Sequence, residues 1–234
     1  MCRHEMTAIE RESETKDGGT LMLKEMKMRS IKNVLPISLC LIAIGIFGLY
    51  FCRIEDDVVG QYVMTGFFGL SCALGVFFPC KAVAGGFQKD LIKKLKAEGG
   101  SALKIAEDDY QIAKEICAGV KAGHIYLFST RNARSQALRL DQIAWAYTYR
   151  KETRKKGAVT VTYMVKICMV NQEKEEIDSK DEAMCHLILD YLQQTLPGVF
   201  IGYSEGLENL YNNQHNEFMR MRREKEAKAA GNGQ

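Results

Sequence analysis

The chain has 234 residues, of which 47% are hydrophobic and 26% are charged, and its formal net charge is +3. So small a net charge gives no electrostatic argument for nucleic acid as a partner, and no recognition motif supports one. The eight cysteines form no Cys-x-x-Cys pair and have no histidine at zinc spacing. We therefore predict no metal site, no disulfide framework and no cofactor.

Two apolar runs, Val34–Cys52 and Val58–Cys80, are the most informative part of the sequence. Neither run contains Asp, Glu, Lys or Arg. At ~1.5 Å per residue, each run is long enough as a helix to cross a hydrocarbon core of ~30 Å. Only the segment Arg53–Asp57 separates them. The sequence therefore predicts an integral membrane hairpin of two transmembrane helices. Gly69 and Ala73, four residues apart, either allow close helix contact or reflect the ordinary glycine content of a transmembrane helix.

Basic residues flank this hairpin on one side. They lie before the first run and after the second, at Lys24, Lys27, Arg29, Lys32, Lys81, Lys89, Lys93, Lys94 and Lys96. The connecting turn offers only Arg53 against three acidic residues. The positive-inside bias predicts a cell-membrane protein with both termini in the cytoplasm. A signal sequence is the competing interpretation of the first run, and the long charged leader before that run argues against it.

Composition divides the chain into five segments. We predict a disordered or basic N-terminal segment (1–33), the transmembrane hairpin (34–80), a juxtamembrane helix with its linker (81–100), a cytoplasmic α+β domain (101–222) and a polar tail (223–234). Within the first segment, the first twenty residues are expected to be disordered, and Leu21 to Lys32 has a basic, helix-forming composition. The hairpin carries no ionisable side chain and leaves no room for a pore loop. We therefore do not expect transport by this chain alone.

The juxtamembrane segment Phe87–Glu98 predicts an amphipathic helix. One face carries Phe87, Leu91, Ile92 and Leu95, and the lysines Lys89, Lys93, Lys94 and Lys96 surround it. Two interpretations stay open at this point. The helix lies in the membrane interface with its lysines at the lipid head groups, or it is a short helix that packs on the domain that follows.

The soluble domain is predicted to combine helices with an antiparallel sheet. Asp108 or Asp109 is expected to cap a helix with Ile112, Ile116 and Val120 on one side. Apolar alternation then predicts strands at Ile125–Phe128, Leu138–Tyr149, Val159–Met169 and Glu175–Ile177, and Val199–Ile201 is expected to be a brief extended piece. The two long strands are expected to pair as a hairpin around a turn from Arg150 to Gly157.

Two helices are predicted to close the domain. Ser179 and Glu182 form a capping-box pattern before a helix in which Leu187 is a core residue. Ser204 is expected to cap a last helix with Tyr211 facing inward.

This order of elements resembles bacterial membrane proteins that carry a pleckstrin-homology-like domain after two transmembrane helices. The resemblance covers about Val34 to Pro197 and depends on Ile125–Phe128, Leu138–Tyr149, Val159–Met169 and Met184–Leu192. The sequence departs from that pattern in showing five or six strands where the fold has seven, and in adding the helix after Ser204. The resemblance implies a binding or scaffolding module.

Basic residues also cluster at the tip of the predicted hairpin, at Arg150, Lys151, Arg154, Lys155 and Lys156, with only Glu152 among them. Such a tip is either simply solvated or faces the anionic inner leaflet of the membrane. We expect a membrane-anchored interaction or scaffolding module that binds a protein partner or anionic lipid through these residues, or through the four lysines of 87–98.

Two other functions are weighed against this expectation. One is an accessory subunit of a larger transport or secretion assembly, in which a partner supplies the polar pathway. The other is a membrane-bound enzyme, which the sequence disfavours because its histidines are scattered and no nucleophile, phosphate-loop or metal motif is present. We therefore predict no catalytic residue and no small-molecule substrate.

Overall fold

The structure is a computed structural model that describes residues 21–52, 58–86, 88–131, 135–155 and 158–231. Its contacts divide the chain into two compact units. The first unit is Met1–Glu107 with Asn132–Ser135, and the second unit is Asp108–Arg131 with Gln136–Gln234.

Two long helices dominate the first unit. Helix α1 spans Leu21–Cys52 and helix α2 spans Val58–Val83, which confirms a helix at each apolar run. The two helices run antiparallel, because Ser38 of α1 lies near Gly75 of α2 while Gly48 lies near Phe68. Ser71 Oγ also donates a hydrogen bond to the carbonyl oxygen of Leu41 at 3.0 Å. The predicted turn Arg53–Asp57 lies outside the described residues.

Glycines bring the two helices together, at positions other than the predicted ones. A Cβ atom at Gly45 would lie 2.9 Å from the carbonyl oxygen of Phe68, and one at Gly75 would lie 2.6 Å from Ile42 Cγ1. A Cβ atom at Gly69 would meet nothing within 4 Å, and Ala73 is exposed. The expectation for Gly69 and Ala73 is therefore wrong, because four-residue spacing identifies a helix face but not the face that meets the neighbour.

Short helices α3 (Lys89–Glu98) and α4 (Ala102–Ile112) follow α2. In the first unit Met22, Met26, Leu91 and Leu95 are all buried. Two hydrogen bonds connect the elements: Gln88 Nε2 donates to Ser30 Oγ at 3.2 Å, and the backbone N–H of Met22 donates to the Glu107 carboxylate at 3.1 Å. The start of α1 is thus packed and capped by protein.

The segment after Asp109 differs from its prediction. The structure ends α4 at Ile112 and continues with strands β1 (Lys114–Cys117) and β2 (Val120–Ala122). The carboxylate of Asp109 accepts hydrogen bonds from the backbone N–H groups of His124, Ile125 and Tyr126, at 2.7, 3.1 and 2.8 Å. Asp109 therefore holds the start of a strand instead of capping a helix. Gly119, with φ of +84°, makes the turn between β1 and β2.

Two four-stranded sheets form the centre of the second unit. The remaining strands are β3 (Tyr126–Ser129), β4 (Gln136–Arg139), β5 (Ile143–Lys155), β6 (Ala158–Met169), β7 (Lys174–Ser179) and β8 (Phe200–Ile201). The strand orders are β1-β2-β3-β4 and β7-β6-β5-β8, antiparallel except that β8 runs parallel to β5. The expectation of five or six strands is wrong, because β1, β2 and β4 are too short to show a clear alternation.

Helices α5 (Glu182–Thr195), α6 (Glu205–Asn213) and α7 (His215–Gly231) complete the unit. The N-cap of α5 is Asp181, whose carboxylate accepts from the N–H of Met184 at 3.0 Å, so the predicted Ser179 cap is wrong. Leu187 is 49% exposed and not a core residue, since the buried stripe is Cys185, Ile188, Leu189 and Leu192. Ser204 does cap the next helix, through the N–H of Leu207 at 3.1 Å.

The second sheet separates two hydrophobic cores. One core includes Leu127, Val165, Ile167 and Ile188. The other core, on the opposite face, contains Trp145, Tyr147, Cys168, Tyr211 and Phe218, which confirms that Tyr211 faces inward. The Trp145 Nε1–H donates to the carbonyl oxygen of Gly202 at 2.7 Å, and the Tyr211 hydroxyl donates to that of Met169 at 2.7 Å. The predicted polar tail is helical as far as Gly231.

Candidate functional site

Strands β5 and β6 continue past both cores as a two-stranded ribbon. The pairing of β6 with β7 ends at Tyr163, and the pairing of β5 with β8 ends at Ala146. Beyond these points, five further residue pairs join β5 to β6, from Lys151↔Thr162 to Lys155↔Ala158. No other described strand pairs with β5 or β6 there. At ~3.4 Å per residue the ribbon reaches about 17 Å beyond its neighbours. We call residues 150–155 and 158–163 the basic arm.

The register sorts the side chains of the basic arm onto two faces, because residues directly opposite each other share a face. One face, here the arginine face, carries Arg150, Glu152, Arg154, Val159, Val161 and Tyr163. The other, here the lysine face, carries Lys151, Thr153, Lys155, Ala158, Thr160 and Thr162. The predicted basic cluster is therefore split between two surfaces.

An ion pair reduces the free charge of the arginine face. Arg150 Nη2 lies 2.8 Å from Glu152 Oε1, and both side chains are exposed. Arg150 is therefore paired with the one acidic residue of the predicted cluster. Arg154 remains exposed on this face. Its cross-strand neighbour Val159 is 55% exposed, so this face is also partly apolar.

The lysine face combines positive charge with hydroxyl groups. Lys151 is exposed, and Thr153, Thr160 and Thr162 are exposed or half-buried. The register places no acidic residue of the arm on this face. Lys155 belongs to this face by register alone, since its side chain and the whole of Lys156 lie outside the described residues.

Charge is compensated at the base of the arm. Lys166 Nζ lies 4.0 Å from the centroid of the Tyr149 ring and 3.7 Å from Glu176 Oε1. A carboxylate and an aromatic face thus already hold this ammonium group. The uncompensated positive charge of β5 and β6 therefore lies in the arm itself.

A protein-family model described as "Domain of unknown function (DUF6709)" matches residues 85–211, more than half of the chain. The chain belongs to this family. The DUF6709 match includes all eight strands, the basic arm and helices α3 to α5, and it does not include α1 and α2. A search of curated proteins found no match, and neither did a search of solved structures.

The other predicted basic group also lies inside the DUF6709 match. Its members Lys89, Lys93, Lys94 and Lys96 are exposed on α3. They belong to the first unit, whereas the basic arm belongs to the second. Two residues of the predicted apolar face are buried, Leu91 at 3% and Leu95 at 0% exposed, while Ile92 is half-buried and Phe87 lies outside the described residues. This burial favours a helix packed on protein over one that inserts these leucines into lipid.

Cysteine chemistry does not add a site to the DUF6709 domain. Burial raises the pKa of the Cys117 and Cys185 thiols, and raises that of Cys168 to about 11. A raised pKa keeps each thiol protonated and weakly nucleophilic near neutral pH. Within the described ranges, no group of three or more His, Cys, Asp or Glu residues is placed to hold a metal ion.

Sequence reasoning missed the threonines of the lysine face. Thr160 and Thr162 alternate with Val159 and Val161 along β6, so the period of two already places them together on one side. Their position beside Lys151 could not be read from the sequence. It depends on the pairing register, which the position of the turn between the strands determines.

Proposed function

We propose that this chain is a membrane-anchored cytoplasmic interaction module whose basic arm docks on the anionic inner leaflet of the cell membrane. Helices α1 and α2 act as its transmembrane anchor, with both termini in the cytoplasm. The observation that carries the proposal is the basic arm, which extends past both cores with exposed Lys151 and Arg154.

The anchor is supported by the exposure of α1 and α2. Their most apolar windows have mean hydropathies of 2.4 and 1.8, and only 17% and 6% of the residues in those windows are buried. A core helix of a soluble protein would be mostly buried. Long apolar helices with exposed surfaces are expected to contact lipid. The basic flanks support the cytoplasmic side for both termini.

The order of elements in the second unit supports a pleckstrin-homology-like fold. Seven strands, in the orders β1-β2-β3-β4 and β7-β6-β5, precede helix α5. Seven strands and a closing helix are what the resemblance to the bacterial two-helix membrane proteins implies. Strand β8 and helices α6 and α7 are additions to that pattern.

Electrostatic attraction to anionic lipid favours docking of the basic arm on the membrane. Each Lys or Arg near an anionic membrane surface contributes about 1 kcal/mol, and the attraction falls off within a Debye length. A few such contacts are weak in a free domain. The transmembrane anchor would hold the arm at high effective concentration near the surface, so weak contacts suffice.

Vesicle sedimentation tests this proposal. A fragment from Ser101 to Gly231, with its folding checked by Trp145 fluorescence, should sediment with phosphatidylglycerol vesicles at low salt but not with phosphatidylcholine vesicles. The triple variant Arg154→Glu, Lys155→Glu, Lys156→Glu should lose this binding. A control with the same change of charge elsewhere, Lys180→Glu, Arg223→Glu, Lys228→Glu, should keep most of it.

Salt provides a second condition for the same experiment, because added salt should weaken an electrostatic interaction between the basic arm and anionic lipid. Equal sedimentation of wild type and the arm variant at low salt would reject lipid docking. An unidentified protein partner, or a larger transport or secretion assembly, would then be the better account of the arm.

A further inference from the structure

We infer that the basic arm docks through one face only: the lysine face lies against the lipid phosphates, and the arginine face points away from the membrane. This inference depends on the proposed function and makes it more specific. It assigns a ligand, the phosphate groups of anionic lipids, to Lys151, Thr153, Thr160 and Thr162.

Charge distinguishes the two faces. The arginine face carries Glu152, whose carboxylate an anionic surface would repel, and this carboxylate already holds the guanidinium of Arg150 at 2.8 Å. Only Arg154 is left on that face to attract lipid. The lysine face presents Lys151, and the register places no acidic residue of the arm on it. Docking through the lysine face therefore brings no carboxylate of the arm against the anionic surface.

Hydrogen bonding favours the same face. Threonine hydroxyls donate to phosphate oxygens, and bonds to an ionised acceptor are stronger than those between neutral groups. The register sets Thr162 directly opposite Lys151 and Thr160 directly opposite Thr153. Side chains in such pairs lie about 5 Å apart, near enough to contact one head group together. On the other face the residues of β6 nearest the end of the arm are Val159 and Val161, which cannot donate. Tyr163 shares that face but is half-buried at the base of the arm, where it packs against a hydrophobic core.

Shape identifies a lipid surface as the source of the phosphate. A phosphate-bearing small molecule is usually held in a concave pocket that buries most of its surface. The lysine face is one side of a two-stranded ribbon whose side chains stand in a row. Such a ribbon matches an extended layer of head groups better than a single free anion.

Photocrosslinking in the full-length chain tests the assignment of the face. A photoreactive amino acid is placed singly at Thr160, Val161 or Thr162, which are neighbours on one strand, and the protein is reconstituted into vesicles. With phosphatidylglycerol present, the probes at Thr160 and Thr162 should crosslink to lipid and the probe at Val161 should not. With phosphatidylcholine alone, none of the three should crosslink. Lipid crosslinks of equal yield at Val161 would overturn the inference.

A matched pair of charge variants sharpens the test. Lys151→Gln and Arg154→Gln each remove one positive charge from an exposed position of β5. With the probe at Thr160, Lys151→Gln should lower the lipid crosslink about fivefold, and Arg154→Gln by about twofold or less. Equal losses, or a larger loss from Arg154→Gln, would contradict the assignment of the face.

Three outcomes separate the possible causes of failure. If the wild-type chain bound inorganic phosphate and Lys151→Gln did not, while no probe crosslinked to lipid, a free anion would be the ligand and the lipid assignment would be wrong. If no probe on either face crosslinked in anionic vesicles, the proposed docking itself would be rejected. Equal crosslinks from both faces would leave docking intact and reject only its orientation.

Discussion

Helices α1 and α2 and the second unit place their large apolar side chains in opposite ways. Along the two helices, aromatic residues such as Phe47 and Phe67 are more than 60% exposed. Polar Ser71 instead lies at the contact between the helices, where it bonds to a backbone carbonyl. In the second unit Trp145, Tyr211 and Phe218 are almost fully buried, and the charged residues of the arm face outward.

The proposed membrane anchor accounts for this contrast by two packing rules within one chain. In water, burial of apolar surface stabilises a fold by about 25 cal/mol per Å², so large aromatic residues are found inside. Between helices in lipid this driving force is absent, and close approach through small residues and polar contacts replaces it. Gly45, Gly48 and Gly75 provide that close approach between α1 and α2.

The largest expected effect on stability is the difference between replacing a buried phenylalanine and replacing an exposed one. Phe218→Ala should lower the free energy of unfolding of the second unit by about 3–5 kcal/mol, because it leaves a cavity beside Phe200 and Tyr211 in the core that contains Trp145. Phe67→Ala should leave it within about 0.5 kcal/mol of wild type. Denaturant unfolding of the full chain in mild detergent, followed by the single tryptophan, measures both values.

Similar decreases in the free energy of unfolding for Phe218→Ala and Phe67→Ala would contradict the contrast between α1 and α2 and the second unit. Phe67, at 64% exposed, would then contribute to the same cooperative unit as Phe218. The apolar surface of α2 would have to be covered by protein, and contact with lipid would not explain its exposure.

A smaller effect is expected from a single methyl group between α1 and α2. Gly45→Ala would place its Cβ against the backbone of Phe68, so one helix must shift, at a cost of about 1–3 kcal/mol. Gly69→Ala is the matched control, because its Cβ would meet no atom within 4 Å. Pulse proteolysis in mixed micelles during an SDS titration measures the stability of the helix pair. If Gly69→Ala were the more destabilising change, the interface described for α1 and α2 would be wrong.

Most of the fold could be predicted where one periodicity extends over many residues. The apolar runs, strands β5 and β6 and the Ser204 cap follow directly from the sequence. The segment after Asp109 was mistaken for a helix because Ile112, Ile116 and Val120 share helical spacing. Two features determine the structure of that segment: the buried carboxylate of Asp109, which accepts hydrogen bonds from three backbone N–H groups, and the turn at Gly119. Neither feature produces a periodic pattern in the sequence.

The candidate site was only half predictable. The sequence identified the basic residues and the two long strands, but it placed Arg150 to Gly157 in one turn. The structure keeps β5 extended as far as Lys155, so Arg150 and Lys151 alternate between faces. Strand register determines whether neighbouring charged residues lie on one face of the ribbon or on two. The composition of a basic cluster does not reveal that register.

Accessibility of engineered cysteines tests the membrane anchor most directly. The chain's own Cys52 and Cys185 make poor reporters, because they are only 6% and 0% exposed. We therefore choose Asp56→Cys, in the connection between α1 and α2, and Arg223→Cys, at an exposed position of α7, with the unmodified chain as background. In intact cells a membrane-impermeant maleimide should label Asp56→Cys, whereas Arg223→Cys should react only after lysis. Labelling of Arg223→Cys in intact cells, with Asp56→Cys protected until lysis, would contradict the orientation and the docking of the arm on the inner leaflet.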